Sequence, residues 1–298
     1  MYKIVEREIL VPNIIHIKVE APYVAQAAQP GQFVILRVDE QGERFPMSLA
    51  DWDREKGTID IVFFVLGTST MKLAALREGD SILDCVGPLG NPTEIENYGN
   101  VLLACGCFGI GPTIKLAEAL REKGNNIVSV MEARSKAYLF WEDRLRKVSD
   151  EFHVVVGDSS YGKKEWTNDF IQEYLRAGNK VDIIFAHGCP FMMMECSRAS
   201  KPFGVKTIVS LTTIMVDGTG MCGSCRTIVG GQTKFACVDG PEFDGHEVDW
   251  DNLIMRQRRY MPEEYRSFSL WERDNWHKIM FVAPHEKERL LMMQQGQS

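Results

Sequence analysis

The chain lacks any apolar run approaching the roughly 18–20 residues a membrane helix needs, so no membrane span is expected. Its first residues, MYKIVEREIL, lack the apolar stretch of a secretory signal, and none is expected there. Basic residues are in deficit: 34 Lys and Arg face 41 Asp and Glu, a formal charge of −7. A general nucleic-acid binder would show a basic face, so that class is set aside. Nucleotides are not excluded, because glycine loops and helix N-termini hold them without net charge. Eight cysteines with no secretory signal argue against a disulfide framework. They point to metal or redox use in a reducing compartment, and the expected location is cytoplasmic. Hydrophobic residues at 45% and charged residues at 25% are ordinary for a soluble globular chain, and 298 residues suit two or three domains.

What is present changes character along the chain. Residues 1–97 hold short β-rich runs (KIVEREILVPNIIHIKVEA, QFVILRVDE, GTIDIVFFVL, DSILDCVGPLG) separated by glycine, proline and charged turns. That pattern predicts a small barrel or sandwich. Arg44-Phe45-Pro46-Met47-Ser48 places a guanidinium and a hydroxyl around a rigid proline. Leu66-Gly67-Thr68-Ser69-Thr70 places small hydroxyls just before a helical run, which suits a phosphate and equally suits a plain helix cap.

Residues 98–210 alternate strands and helices, as a doubly wound α/β domain does. NVLLACG runs into Gly106-Cys107-Phe108-Gly109-Ile110-Gly111-Pro112-Thr113 and then a helix. Strand, glycine turn, helix is a dinucleotide-binding context, although the spacing is G-x-x-G-x-G rather than the usual fingerprint. Ligands of such sheets sit outside the carboxyl ends of the strands. Glu132, Arg134, Asp158 and Gly188-Cys189-Pro190 with Met192 fall on that edge. Glu132 and Arg134 offer an acid for a ribose hydroxyl and a base for a 2′-phosphate, so NAD(H) and NADP(H) stay open. Thr167 or Asn168 is the expected cap of the helix WTNDFIQEYLRAG. Cys85, Cys105 and Cys196 read as core or strand-end thiols.

Residues 211–250 contain DGTGMCGSCRTIVGGQTKFAC, with Asp217, Cys222, Cys225 and Cys237 spaced D-x4-C-x2-C-x11-C. Plant-type [2Fe–2S] proteins space their first ligands C-x4-C-x2-C. Here the first position is a carboxylate. Glycines at 218, 220 and 223 suit a loop wrapped tightly round sulfurs. A zinc site, a redox dithiol or unligated cysteines remain alternatives on these residues alone. Residues 251–298 carry Tyr260, Tyr265, Trp271 and Trp276 without a cofactor motif. They read as a partner contact or as an arm folded back on the chain, with the final MMQQGQS frayed.

The order of these parts resembles the ferredoxin–NADP reductase superfamily, and within it the electron-transfer subunit of dihydroorotate dehydrogenase. The phrases MVDGTGMCGSCR and FACVDGPEFDGHEVDWDNL resemble more closely the small-subunit family of NADH-dependent reduced ferredoxin:NADP oxidoreductases, where an Asp replaces the first cysteine ligand. The resemblance implies a β-barrel flavin domain, an α/β nucleotide domain and a small C-terminal [2Fe–2S] domain. It implies FAD held by Arg44, Pro46, Met47 and Ser48 with Leu66, Gly67, Ser69 and Thr70. It implies NAD(H) or NADP(H) at Gly106, Gly109, Gly111, Pro112 and Thr113, with Gly188, Pro190 and Met192 beside the nicotinamide and Cys189 on the catalytic side. The cluster ligands would be Asp217, Cys222, Cys225 and Cys237. A larger partner subunit with further flavin and [4Fe–4S] clusters is implied, with ferredoxin served indirectly and electron bifurcation as the reaction. The dihydroorotate-type subunit is the alternative, and a zinc-containing nucleotide-binding module the remote one. Relatives have glycine where Cys107 stands, so its side chain is expected to crowd the pyrophosphate approach.

Overall fold

The computed structural model describes residues 1–279, the last four by backbone alone. Strand β1 (Tyr2–Val11) and β2 (Ile14–Glu20) form a hairpin, turned where Asn13 takes a left-handed φ of 63°. Asn is among the few non-glycine residues that visit that conformation readily. Helix α1 (Pro22–Ala27) follows, then β3 (Phe33–Arg37), β4 (Phe45–Ser48), β5 (Asp51–Asp53) and β6 (Thr58–Phe64). Helix α2 (Thr68–Ala75), β7 (Ser81–Ile82) and β8 (Asp84–Leu89) complete this half. The strands make two antiparallel sheets, ordered β5-β6-β2-β1-β7 and β4-β3-β8. Ile15, Ile17, Ile59, Ile61 and Phe63 line the core between them, each at most 1% exposed.

The second half is built on β9 (Asn100–Gly106), α3 (Ile110–Glu122), β10 (Asn126–Ala133), α4 (Glu142–Lys147) and β11 (Glu151–Val156). It continues with α5 (Thr167–Arg176), β12 (Ile183–His187), α6 (Pro190–Ser200) and β13 (Thr207–Ser210). Val101 to Gly106 are buried throughout, as expected of a central parallel strand covered on both faces. Helix α3 buries Ile110, Ile114, Ala117 and Leu120, one helical stripe at spacings of three and four. The sheet order of these strands is β11-β10-β9-β12-β13. The chain reverses direction of winding between β10 and β12, on either side of β9, so the crevice outside Gly106 and Gly188 is the topological switch point.

The cysteine segment is not self-contained. Strands β14 (Arg226–Val229) and β15 (Gln232–Phe235) form a hairpin closed by Gly230 and Gly231, both at positive φ. Such a tight turn needs left-handed residues to match the strand twist. Strand β16 (Glu242–Asp244) then joins the α/β sheet as an antiparallel edge against β13. Helices α7 (Trp250–Gln257) and α8 (Met261–Ile279) end the described chain.

Helix α8 returns to the first half. Phe268 is 6% exposed within the barrel core and Trp271 packs beside it, while Thr68 Oγ1 and Ser267 Oγ lie 2.9 Å apart. Of the two readings for this tail, the arm folded back on its own chain describes α8. Tyr260 and Tyr265 remain 49% and 41% exposed. The Trp276 side chain and the final MMQQGQS fall outside the described residues. The start of α5 also differs from expectation. Neither Thr167 nor Asn168 caps it; the Asp169 carboxylate accepts the Trp166 N–H and Glu132 accepts the Thr167 N–H.

Candidate electron-transfer site

The four spaced donors of the cysteine loop come together as two pairs. Cys222 Sγ lies 3.3 Å from Asp217 Oδ1, and Cys225 Sγ lies 3.2 Å from Cys237 Sγ. At a tetrahedral centre, metal–sulfur bonds of about 2.3 Å and metal–oxygen bonds of about 2.0 Å set ligand edges of about 3.5 Å for S···O and about 3.8 Å for S···S. Each pair is therefore near the spacing that one metal bridges. A mononuclear site would gather three or four donors at one point, and among the described residues no three His, Cys, Asp or Glu side chains are so gathered. A [2Fe–2S] cluster takes two protein ligands on each iron, which fits the two pairs.

The pairs differ in setting. Cys225 and Cys237 are 2% and 1% exposed, packed on Phe33 and Ile35 of the barrel. Asp217 and Cys222 face outward. Gly218, Gly220 and Gly223 take φ of 78°, 84° and 68°, which glycine reaches without strain. Gly218 is also pressed on the barrel, where an added Cβ would lie 2.6 Å from Leu89 Cδ1. The loop amides converge on Asp217: Thr219, Met221 and Cys222 donate N–H to its carboxylate at 3.1, 3.1 and 3.0 Å. Desolvation pushes its pKa up, but these bonds outweigh it and hold the carboxyl at about 2. Desolvation also opposes ionisation of the Cys222 thiol, yet the hydroxyl and amide of Ser224 bring its pKa below the usual thiol value. Both outer donors are thus held towards their ligating, anionic forms. Burial pushes Cys237 the other way, to about 12, with the Cys225 thiol adding to it.

The two barrel segments stand next to each other and next to this loop. Arg44 Nε donates to the Val216 carbonyl at 2.8 Å, one residue before Asp217. Ser69 Oγ reaches Glu43, the neighbour of Arg44, at 3.4 Å. Pro46, Met47 and Ser48 lie half-buried on the edge strand β4. At the start of α2, Thr70 Oγ1 accepts the Leu66 and Gly67 N–H groups at 2.9 and 3.0 Å. An added Cβ on Gly67 would meet nothing within 4 Å. Open space before the N-terminus of α2 is what a phosphate needs.

The glycines of the α/β edge do something else. A Cβ on Gly109 would lie 2.2 Å from the His187 carbonyl oxygen, and one on Gly111 2.9 Å from Ala50 Cβ. Gly109 lets the loop touch the end of β12, and Gly111 lets α3 touch the barrel; neither faces open space. Thr113 is 1% exposed, with its hydroxyl donating to Gly109 O at 2.7 Å, so the side chain does not reach the crevice. Pro112 lies in the first turn of α3. Met192 is 6% exposed and fills the notch between Gly106 and Gly188: Cβ atoms there would come 3.1 and 2.6 Å from its sulfur. Cys107 takes φ of 52°, a left-handed conformation that costs a non-glycine residue about 1–2 kcal/mol. A glycine at this place would take the same φ without that cost.

Burial raises the Glu132 pKa, and its carboxylate is engaged by the Thr167 N–H at 2.8 Å, inside the fold rather than on a ribose. Arg134 stays near the end of β10, and Asp158 accepts the N–H of Ser160 in the loop after β11. Cys189 caps α6, its sulfur accepting the Met192 N–H at 3.4 Å, and desolvation of the sulfur raises its pKa. A thiol held neutral is no nucleophile. Sequence reasoning missed His187, buried between Thr113 and Glu242. Its only signal was a histidine at a strand end just before Gly-Cys-Pro.

A sequence model of the iron–sulfur cluster binding domain of dihydroorotate dehydrogenase B matches residues 212–249. The chain is 47% identical over 266 residues to the Thermotoga maritima protein named dihydroorotate dehydrogenase B (NAD(+)), electron transfer subunit homolog, covering 89% of this chain and 94% of that one. A chain of the NADH-dependent reduced ferredoxin–NADP oxidoreductase structure, solved for insight into flavin-based electron bifurcation, superposes with a TM-score of 0.86 at 46% identity, covering 91% of this chain and 98% of that one. A Neisseria gonorrhoeae ferredoxin–NADP+ reductase with bound FAD and NADP shares the fold, with a TM-score of 0.55 at 18% identity over 68% of this chain and 90% of that one.

Proposed function

Because the chain belongs to the family of dihydroorotate dehydrogenase B electron-transfer subunits, we propose that it is the FAD- and [2Fe–2S]-containing subunit of an oxidoreductase. Its electrons come from, or go to, a nicotinamide nucleotide, and it works with a larger subunit in an electron-bifurcating NADH/NADPH/ferredoxin complex. The pairing of Asp217 with Cys222 and of Cys225 with Cys237 is the observation that carries this reading. When bound, FAD exchanges a hydride with a nicotinamide and exchanges electrons singly with an iron–sulfur cluster.

The chain's own residues do the placing. The first turn of α2 offers amides, and Gly67 open space, to a diphosphate. Arg44 ties the start of β4 to the cluster loop through its bond to Val216. The amides of Thr219, Met221 and Cys222 hold Asp217 ionised towards the outer metal position, and the barrel core keeps water from the inner pair. Asp217, in place of the cysteine of dihydroorotate-type subunits, favours the ferredoxin:NADP assignment.

The purified chain should be yellow-brown, with about one flavin and two irons per chain and no zinc, and NADH or NADPH should bleach its spectrum. Asp217→Cys should retain the cluster and lower its midpoint potential, since a thiolate donates more charge and accepts weaker hydrogen bonds than the carboxylate. A colourless zinc protein would overturn the proposal. A D217C midpoint equal to that of the native protein would remove Asp217 from the ligand set.

A further inference from the structure

We propose that the cavity between the cluster loop and the end of α7 is an oxyanion site that takes a phosphate-type dianion from solution, and that a bound anion and the charge on the cluster act on each other. The cavity has a volume of about 240 Å³, and its lining includes Thr213, Cys222, Arg226, Arg256, Arg259 and Tyr260. Arg226 follows directly on Cys225, whereas Arg256 and Arg259 come from the last turn of α7 and the residues after it. No Asp or Glu lines the cavity. Among the described residues none of the three guanidinium groups makes an ion pair. Three cations thus gather without a carboxylate in a chain whose formal charge is −7.

Structural roles account for only part of this charge. Arg226 Nη1 donates to the Gly223 carbonyl at 2.9 Å, and Arg256 Nη2 donates to the Ser224 carbonyl at 3.3 Å. A guanidinium carries a fork of N–H donors, so most of them remain for a ligand. The C-terminus of α7 presents about half a negative charge, well short of three cations. Burial first, and then the Arg226 and Arg259 charges, lower the Arg256 pKa. An anion in the cavity relieves that crowding, and the arginine fork matches two oxygens of a phosphate. The wall points to a ligand independently of charge. Thr213 is 8% exposed, and its buried hydroxyl has no hydrogen-bond partner among the described residues. A buried hydroxyl left unsatisfied is destabilising, and an oxyanion, or a water bound with it, supplies the missing partner. The volume suits a small anion with a few waters and falls below the roughly 300 Å³ at which pockets for larger ligands begin.

Cys222 lines the same cavity. An anion in it lies within about 10 Å of that sulfur, and at a surface dielectric one unit of charge at this distance changes affinity by about tenfold. Reduction adds a negative charge to the cluster, so it should weaken anion binding. Reciprocally, a bound anion should lower the midpoint potential. This coupling rests on the oxidoreductase reading above; the binding site does not.

The site is tested by titration calorimetry of the oxidised holoprotein with sodium phosphate, in a low-chloride buffer free of other oxyanions. One phosphate per chain should bind with a Kd of about 1 mM or tighter, and acetate about tenfold more weakly. Arg259→Gln should weaken phosphate binding by about tenfold, and it leaves the bonds to Gly223 and Ser224 in place. Thr213→Val keeps the shape of the side chain and should weaken binding by about fivefold. No saturable binding, acetate as tight as phosphate, or an affinity unchanged in either variant overturns the site. The coupling is tested by a redox titration followed by EPR. Saturating phosphate should lower the cluster midpoint by about 59 mV, the one-electron equivalent of a tenfold difference in affinity. A midpoint indifferent to phosphate that calorimetry shows to be bound overturns the coupling. A protein without flavin or cluster would instead overturn the oxidoreductase reading and leave the calorimetry standing.

Discussion

Gly109→Ala separates two roles that glycine plays in this chain. Gly67 and Gly109 both read in the sequence as phosphate-cradling residues. An added Cβ on Gly109 would lie 2.2 Å from the His187 carbonyl oxygen and 2.4 Å from its carbon, more than about 1 Å short of ordinary contact. The neighbour is backbone, so no side chain can swing aside. Retreat of the β12 end would stretch the Thr113–His187 contact of 3.0 Å, and retreat of the Gly109 loop would strain the Thr113–Gly109 bond of 2.7 Å. Two weakened hydrogen bonds at about 1 kcal/mol each and overpacking of about 1–3 kcal/mol give a loss of about 3–5 kcal/mol. That is a large share of a typical stability of about 5–15 kcal/mol, and Tm should fall by about 10 °C. Gly67 has extended angles, φ −142° and ψ −175°, that any residue adopts, and nothing within 4 Å of an added Cβ. Gly67→Ala should leave the Tm of the flavin-free protein within about 2 °C of native and weaken FAD binding. Thermal melts of both variants, with and without FAD, decide it. A G109A protein that melts within about 2 °C of native would refute the packing argument.

Further tests follow from the same geometry. Phe268→Ala should cost about 3 kcal/mol if α8 stays docked; if α8 detaches, its amides should exchange far faster while the α/β sheet keeps its protection. Unchanged exchange in α8 with unchanged stability would mean that Phe268 does not anchor it. The raised pKa of Glu132, caused first by burial, means its contribution favours the fold below the ordinary carboxylate range and is lost as pH rises through the raised folded value. Glu132→Gln keeps an acceptor for the Thr167 N–H, so it should be more stable than native at neutral pH, with the gap closing towards about pH 4. Urea midpoints that differ equally at all pH would contradict this. Cys189→Ser preserves the cap of α6 and removes a thiol held neutral, so flavin reduction by nicotinamide should stay within about threefold of native. A loss beyond about a hundredfold would restore Cys189 as a catalytic residue.

Local patterns were legible where one residue type has one physical use. The spacing of Asp217, Cys222, Cys225 and Cys237 pointed to a ligand set, because coordination demands donors at fixed separations. The buried run of β9 and the glycine turn after it announced a parallel sheet edge. Cys107 was noticed as a side chain at a glycine position, and its φ of 52° shows why glycine belongs there. Glu132 and Thr113 were ambiguous in the sequence, because an acid or hydroxyl at a strand or helix end serves a ligand and a buried cap equally well. Only their surroundings distinguish the two.

The sequence by itself determined the order of barrel, α/β sheet and cysteine loop, since hydrophobic period and turn chemistry are local properties. The tertiary structure alone decided how the donors divide into an outer Asp217–Cys222 pair and a buried Cys225–Cys237 pair. It alone joined β16 to the α/β sheet, brought α8 back onto the barrel, and set His187 between Thr113 and Glu242. Those are contacts between residues far apart in the chain, and their energies depend on which surfaces meet once water has been excluded, which no local window of sequence specifies.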